Sequence, residues 1–139
     1  MKTQITKFDF TKHEELRKYL LREKEINNDY DSRTEKYVRG FRCIFRFSND
    51  FGASIIKRHG SYGFKDNLWE LCVLHFDDKT MENDYALAYG TDITGDVEGH
   101  LSDDNVAEMC IFIQRLKKNG KLTKKDREAF DAFMVRIYE

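Results

Sequence analysis

The nine residues from Leu68 to Phe76 constrain this chain most. Leu68, Trp69, Leu71, Val73, Leu74 and Phe76 put apolar side chains on both sides of an extended run. A strand that is apolar on both faces needs cover on both, which predicts the centre of a sheet. Upstream, Phe41, Cys43, Phe45 and Phe47 alternate with Arg42, Ile44, Arg46 and Ser48, the period of two expected of a half-buried strand. Asn49-Asp50 suits a two-residue hairpin turn because both residue types tolerate positive φ. The return strand then runs from about Phe51 to His59, and in that register Arg42 faces Lys57. After a polar link, Tyr85 to Tyr89 predicts a fourth strand, stopped by Gly90.

Helical signals lie at the two ends. Thr11-Lys12-His13-Glu14 matches a capping box and predicts a helix to about residue 27, with Leu16, Tyr19, Leu20 and Ile26 turned inward. Before it, Ile5, Phe8 and Phe10 suit a short strand or an extended arm; after it, residues 28–36 are polar and read as a loop. Ser102 caps a helix of about 103–118, with Asp103 and Asp104 in its first turn and Lys117 and Lys118 in its last, as the helix dipole favours. Val106, Met109, Cys110, Ile113 and Leu116 form its inner face. Thr123 opens a final helix with Ala129, Phe130, Phe133, Met134 and Ile137 on one side. The fold class expected is α+β: an antiparallel β-meander of about four strands with an N-terminal helix and two C-terminal helices. With 139 residues and no repeat or Gly/Ser linker, a single globular domain, 1–139, is expected.

No apolar run approaches the roughly 18 residues a membrane span needs, and the first residues lack a secretory stretch. A cytoplasmic protein is the expectation. Cys43, Cys72 and Cys110 are an odd number without a CxxC pair, each inside an apolar stretch, and read as small buried hydrophobes in a reducing compartment. His13, His59, His75 and His100 show no metal-ligand spacing, and no GxSxG or P-loop is present. The expectation is therefore no metal, no cofactor and no enzyme. Lys57-Arg58-His59-Gly60-Ser61-Tyr62-Gly63 has the glycines and bases to cradle an anion, but without a strand-to-helix context it reads as a turn.

Charge is distributed unevenly. Residues 1–65 hold 15 Lys/Arg against 9 Asp/Glu, residues 66–110 hold 1 against 12, and residues 111–139 hold 8 against 4. The middle segment is thus −11 in a chain of net charge −1. Such a face either neutralises the basic ends internally or engages a basic surface on a partner. The partner reading assigns Asp77, Asp78, Glu82, Asp84, Asp92 and Asp96 as contact residues. A second reading places nucleic acid or another anion on Arg39, Arg42, Arg46, Lys57 and Arg58, the bases of the 41–58 hairpin. Like charges opposite one another, such as Arg42 and Lys57, destabilise a pair unless an acid lies across them, and Glu70 is the internal candidate.

Phe47-Ser48-Asn49-Asp50-Phe51-Gly52-Ala53-Ser54, Gly60-Ser61-Tyr62-Gly63, the strand Leu68-Trp69-Glu70-Leu71-Cys72-Val73-Leu74 and Gly90-Thr91-Asp92-Ile93-Thr94-Gly95-Asp96-Val97 together resemble a family of small bacteriophage proteins of unassigned activity. The resemblance covers about residues 40–115. Asp50 stands where that family has a turn glycine, and Asp92 where it has proline. It implies phage origin, and by analogy an early protein of host takeover or counter-defence. The expected function is a non-enzymatic phage protein that binds and modulates a host protein through its acidic surface. The alternative is nucleic-acid binding through the hairpin's basic face.

Overall fold

The computed structural model describes residues 4–77 and 85–138, apart from the side chain of Asn28. Among these residues, six strands form one antiparallel sheet: β1 (Leu20–Asp31), β2 (Lys36–Arg46), β3 (Phe51–Lys57), β4 (Trp69–Phe76), β5 (Tyr85–Leu87) and β6 (Val97–Leu101). Two helices follow, α1 (Asp103–Gln114) and α2 (Lys124–Ile137). Strands β1 to β5 lie side by side in chain order, and β6 also pairs with β4. The α+β class and the antiparallel meander stand. The sheet is larger than the four strands expected, and the N-terminal helix is only a 3-10 turn, Glu14–Tyr19.

The missing helix is a case of tertiary pairing overriding local propensity. Residues 20–31 lie along β2, from Leu20 opposite Phe45 to Asp31 opposite Lys36. The stretch expected to be a loop, 28–36, is instead the tip of this long hairpin. Charged side chains at 22–25 keep the exposed outer edge of β1 polar, which discourages pairing with another chain.

The β2–β3 register also differs from the expectation, by one residue. Asp50 adopts a left-handed φ of 67°, and Phe47 accepts from Asp50 while donating to Phe51. The loop is therefore three residues, Ser48, Asn49 and Asp50, a type of hairpin closed by a residue in the left-handed region. Arg42 consequently faces Ile56, and Lys57 faces Phe41. A one-residue slip moves a side chain to the other face of the sheet, so Arg42 and Lys57 lie on opposite faces.

One face of the sheet carries Phe41, Cys43, Phe45, Ala53, Ile55, Trp69, Leu71 and Val73, all in the main core. The N-terminal arm covers part of it: Phe8 packs against Phe45 and Trp69 with ring centroids 6.3 and 6.2 Å apart. Helix α1 covers the rest with Val106, Met109, Cys110 and Ile113. Its N-cap is the expected Ser102, with a reciprocal Asn105 bond. Helix α2 is held to α1 by Phe112, Phe130 and Phe133. The opposite face holds a smaller buried group, Ile44, Leu74 and Phe76.

Strands β5 and β6 share one edge of β4. Leu87 pairs with Leu74, and Val97 pairs with Cys72. They are in effect one interrupted edge strand, with an excursion between them that packs Ile93 and Thr94 inside. The Asp92 amide donates to the Gly120 carbonyl, and its carboxylate accepts from the Leu122 amide. This ties the excursion to the α1–α2 connection.

Candidate functional site

The five bases assigned to one hairpin face are dispersed. Lys57, at the end of β3, is 1% exposed and points into the main core. Its Nζ donates to the Thr6 carbonyl at 3.0 Å and to Asn67 Oδ1 at 2.9 Å, and lies 4.3 Å from the Trp69 ring centre. Desolvation pulls its pKa down to about 8, against the attraction of Asp103. Asp103 in turn accepts from Trp69 Nε1 at 2.6 Å and from the Asp9 amide at 3.1 Å. Lys57 is thus a structural clamp on the N-terminal arm and is unreachable from solvent.

The other four differ from one another in setting. Arg58 makes a two-point contact with Asp29, at 2.7 and 3.2 Å. Arg39 does the same with Glu25 while lying over Phe41. Arg46 reaches Asp50 at 2.9 Å across the hairpin loop and covers Phe76. Arg42 stands opposite Lys24 on β1, with its Nε buried and making no hydrogen bond among the described residues. Glu70 does not bridge Arg42 and Lys57: it faces Ile56.

The acidic set is likewise divided. Asp92 is committed internally, since it also pairs with Arg127 at 2.9 Å. It is a clasp within the fold. Asp77 and Asp96 are exposed, whereas Asp78, Glu82 and Asp84 lie outside the described residues. Several further acids of the −11 segment are also engaged: Asp104 with His13 at 2.8 Å, Glu108 with Arg136 at 3.1 Å, and Glu98 with the Tyr138 hydroxyl at 2.8 Å. Glu70 has an acidic neighbour. Burial raises its pKa, an amide from Tyr62 opposes that rise, and the charge of Asp96 adds to it.

Beside these acids lies a feature the charge count did not show. Tyr85, Leu87 and Tyr89, on and just beyond β5, are exposed. Tyr85 and Leu87 sit opposite Phe76 and Leu74, so they extend the sheet's smaller apolar face to its edge. Gly95 lies beside the Tyr89 carbonyl, and exposed Asp96 follows it in the chain.

A second feature is a cleft of about 1010 Å³ between the tip of the β1–β2 hairpin and the turn at 59–66. Of the run singled out as an anion cradle, Lys57 to Gly63, Lys57 ends β3, while residues 59–63 line one wall and are a turn, as expected. Gly63 holds a φ of 94°, and a Cβ there would press on the backbone of His100; only glycine permits this approach. Arg33, Lys36, Arg39 and Lys65 face the cleft with Asp31 and Asp66. Its lining comes from segments far apart in the chain, so no local motif announced it.

All three thiols are buried. Desolvation and the neighbouring Glu23 raise Cys43 to about 12, and burial raises Cys72 and Cys110 as well. Thiols in that condition are protonated at neutral pH and inert as nucleophiles. Among the described residues, no three His, Cys, Asp or Glu side chains are placed to hold a metal ion. No helix among the described residues is long and apolar enough to cross a membrane. No protein family, curated protein or solved structure matches the chain.

Proposed function

We propose that this chain is a non-enzymatic phage protein that binds and modulates a host protein, docking through the β5 edge. The observation that carries this reading is the row of exposed Tyr85, Leu87 and Tyr89 along the β5 edge, with exposed Asp96 following Gly95, which lies beside the Tyr89 carbonyl. Rigid amphipathic tyrosines supply contact area at low entropic cost and are enriched where proteins meet. Acids around them steer a basic partner and set orientation more than affinity. Asp77, Asp78, Glu82 and Asp84 precede Tyr85 in the sequence. The raised pKa of Glu70 beside Asp96 fits a site that a partner's cation would relieve.

The test is affinity capture from infected cells, run with and without nuclease, using the wild-type chain and a Tyr85→Ser/Leu87→Ser/Tyr89→Ser/Asp96→Lys variant of matched thermal stability. The wild type is expected to retain a host protein through nuclease treatment and the variant to lose it. Equal capture by both would show that the edge is not the docking surface.

A further inference from the structure

The cleft between the β1–β2 hairpin tip and the 59–66 turn is independent of the docking edge, and its chemistry is of the opposite sign. Its cations come from both walls. Arg33, Lys36 and Arg39 belong to the hairpin, and Lys65 to the short 3-10 turn Phe64–Asp66. Lys36 and Lys65 are exposed and make no ion pair among the described residues. The acids offset this only in part. Asp31 is held below the usual carboxylate range chiefly by a hydrogen bond from the Arg33 amide, at 2.9 Å, and its carboxylate also lies 3.8 Å from the Arg33 guanidinium; with Arg39 paired to Glu25, Lys36 and Lys65 carry the uncompensated charge of the cleft. His59 and His100 add ring nitrogens that donate or accept.

Aromatic rings flank these charges. Tyr37 on the hairpin is 72% exposed and Tyr62 on the opposite wall 61% exposed. Tyr30 packs edge-on against Tyr37 at 5.3 Å, which steadies that ring. Tyr62 is fixed at its base because its Cβ lies where a side chain at residue 99 would begin, a position occupied by glycine. Two anchored rings with free faces, in a positively lined groove, are the pairing that single-stranded nucleic acids use: phosphates follow the charge and bases stack on the aromatics. The volume reaches the upper limit of small-ligand pockets, which favours an extended ligand over an enclosed metabolite.

We propose that this cleft binds a short stretch of single-stranded nucleic acid, with phosphates at Lys36 and Lys65 and bases against Tyr37 and Tyr62. The site is distinct from the hairpin face considered from sequence: of that set only Arg39 lines it.

Fluorescence anisotropy with labelled ten-nucleotide oligo(dT) and oligo(rU) tests this. Binding is expected at low salt, weakening as salt rises by about 0.7 log units per log unit of salt for each phosphate neutralised. Lys36→Glu/Lys65→Glu is expected to lower affinity tenfold or more and to flatten the salt slope. Tyr37→Ser/Tyr62→Ser is expected to lower affinity by about tenfold with the salt slope kept. All four side chains are exposed, so the melting temperature reports whether each variant is folded. The β5-edge variant should bind both oligonucleotides as the wild type does, which separates this site from the docking edge. The proposal is overturned if neither oligonucleotide binds at low salt or if both double variants bind undiminished. It is also overturned if a polyglutamate peptide or free thymidine monophosphate displaces the strand at equal molar concentration, outcomes that assign the cleft to acidic peptides or to single nucleotides.

Discussion

Lys57 and Glu70 sit on neighbouring strands and are both drawn out of water, yet the two faces of the sheet treat them differently. On the covered face, Lys57 has a carbonyl, an amide oxygen and an indole ring around its ammonium, with Asp103 nearby. On the outer face, Glu70 has one amide donor, from Tyr62, and a second carboxylate beside it. Buried charge costs several kcal/mol unless it is paired or hydrogen-bonded. The fold therefore concentrates its partners where the arm and helices close over the sheet. On the side that faces outward it leaves like charges together, and that is the side on which a basic partner would gain most.

The largest effect expected from breaking this contrast is at Lys57. Lys57→Ala removes the stem from a packed core and strands the Thr6 carbonyl, so denaturant unfolding should show a loss of about 3 kcal/mol. Amide exchange should show the arm at residues 4–10 released. Lys57→Met keeps the volume without the donors or the charge and should lose only about 1 kcal/mol. If Lys57→Ala is neutral, the clamp is not what holds the arm.

A smaller effect should follow from pH. Between about 8, where Lys57 loses its proton in the fold, and 10.5, its ordinary value, the unfolded chain holds the proton that the folded chain has lost. Stability should therefore rise with pH across that window, by at most about 3 kcal/mol. Urea midpoints for Lys57→Met should lack this rise.

The smallest effect belongs to Glu70, and its sign sharpens the contrast. Its pKa is raised, so the folded state holds the proton more tightly than the unfolded state does. Stability is then greatest below 4.5, the ordinary value, and falls as pH rises through the higher folded value. Glu70→Gln should remove that fall and raise the neutral-pH melting temperature slightly. Because the group is half exposed, solvent screening keeps the gain below about 1 kcal/mol. A drop in melting temperature would mean that the Tyr62 amide bond outweighs the crowding.

Much of the fold was written in local pattern. The alternation at 41–47 and the doubly apolar run at 69–76 each became a strand, and Ser102 and Thr123 cap the helices they were expected to cap. What was illegible depended on distant partners or on one backbone angle. Leu20 to Asp31 has no strong strand signal of its own and is extended because β2 needs a neighbour. The positive φ of Asp50 lengthened a turn by one residue and so sent Lys57 inward, which removed it from the basic face. Strand β6 was missed because Val97–Leu101 is short and contains Gly99. For the sites, charge counting found the acidic stretch but not that Asp92 and Glu108 are spoken for. Exposure of Tyr37, Tyr62, Tyr85 and Tyr89 is visible only once the chain has folded around them.

The excursion between β5 and β6 gives the molecule a mechanical linkage. One end begins beside Tyr89, at the sheet's rim, and Asp92 within it is bolted to Leu122, Gly120 and Arg127. The sheet's margin is thereby tied to the α1–α2 connection by polar bonds as well as by Ile93, which enters the main core.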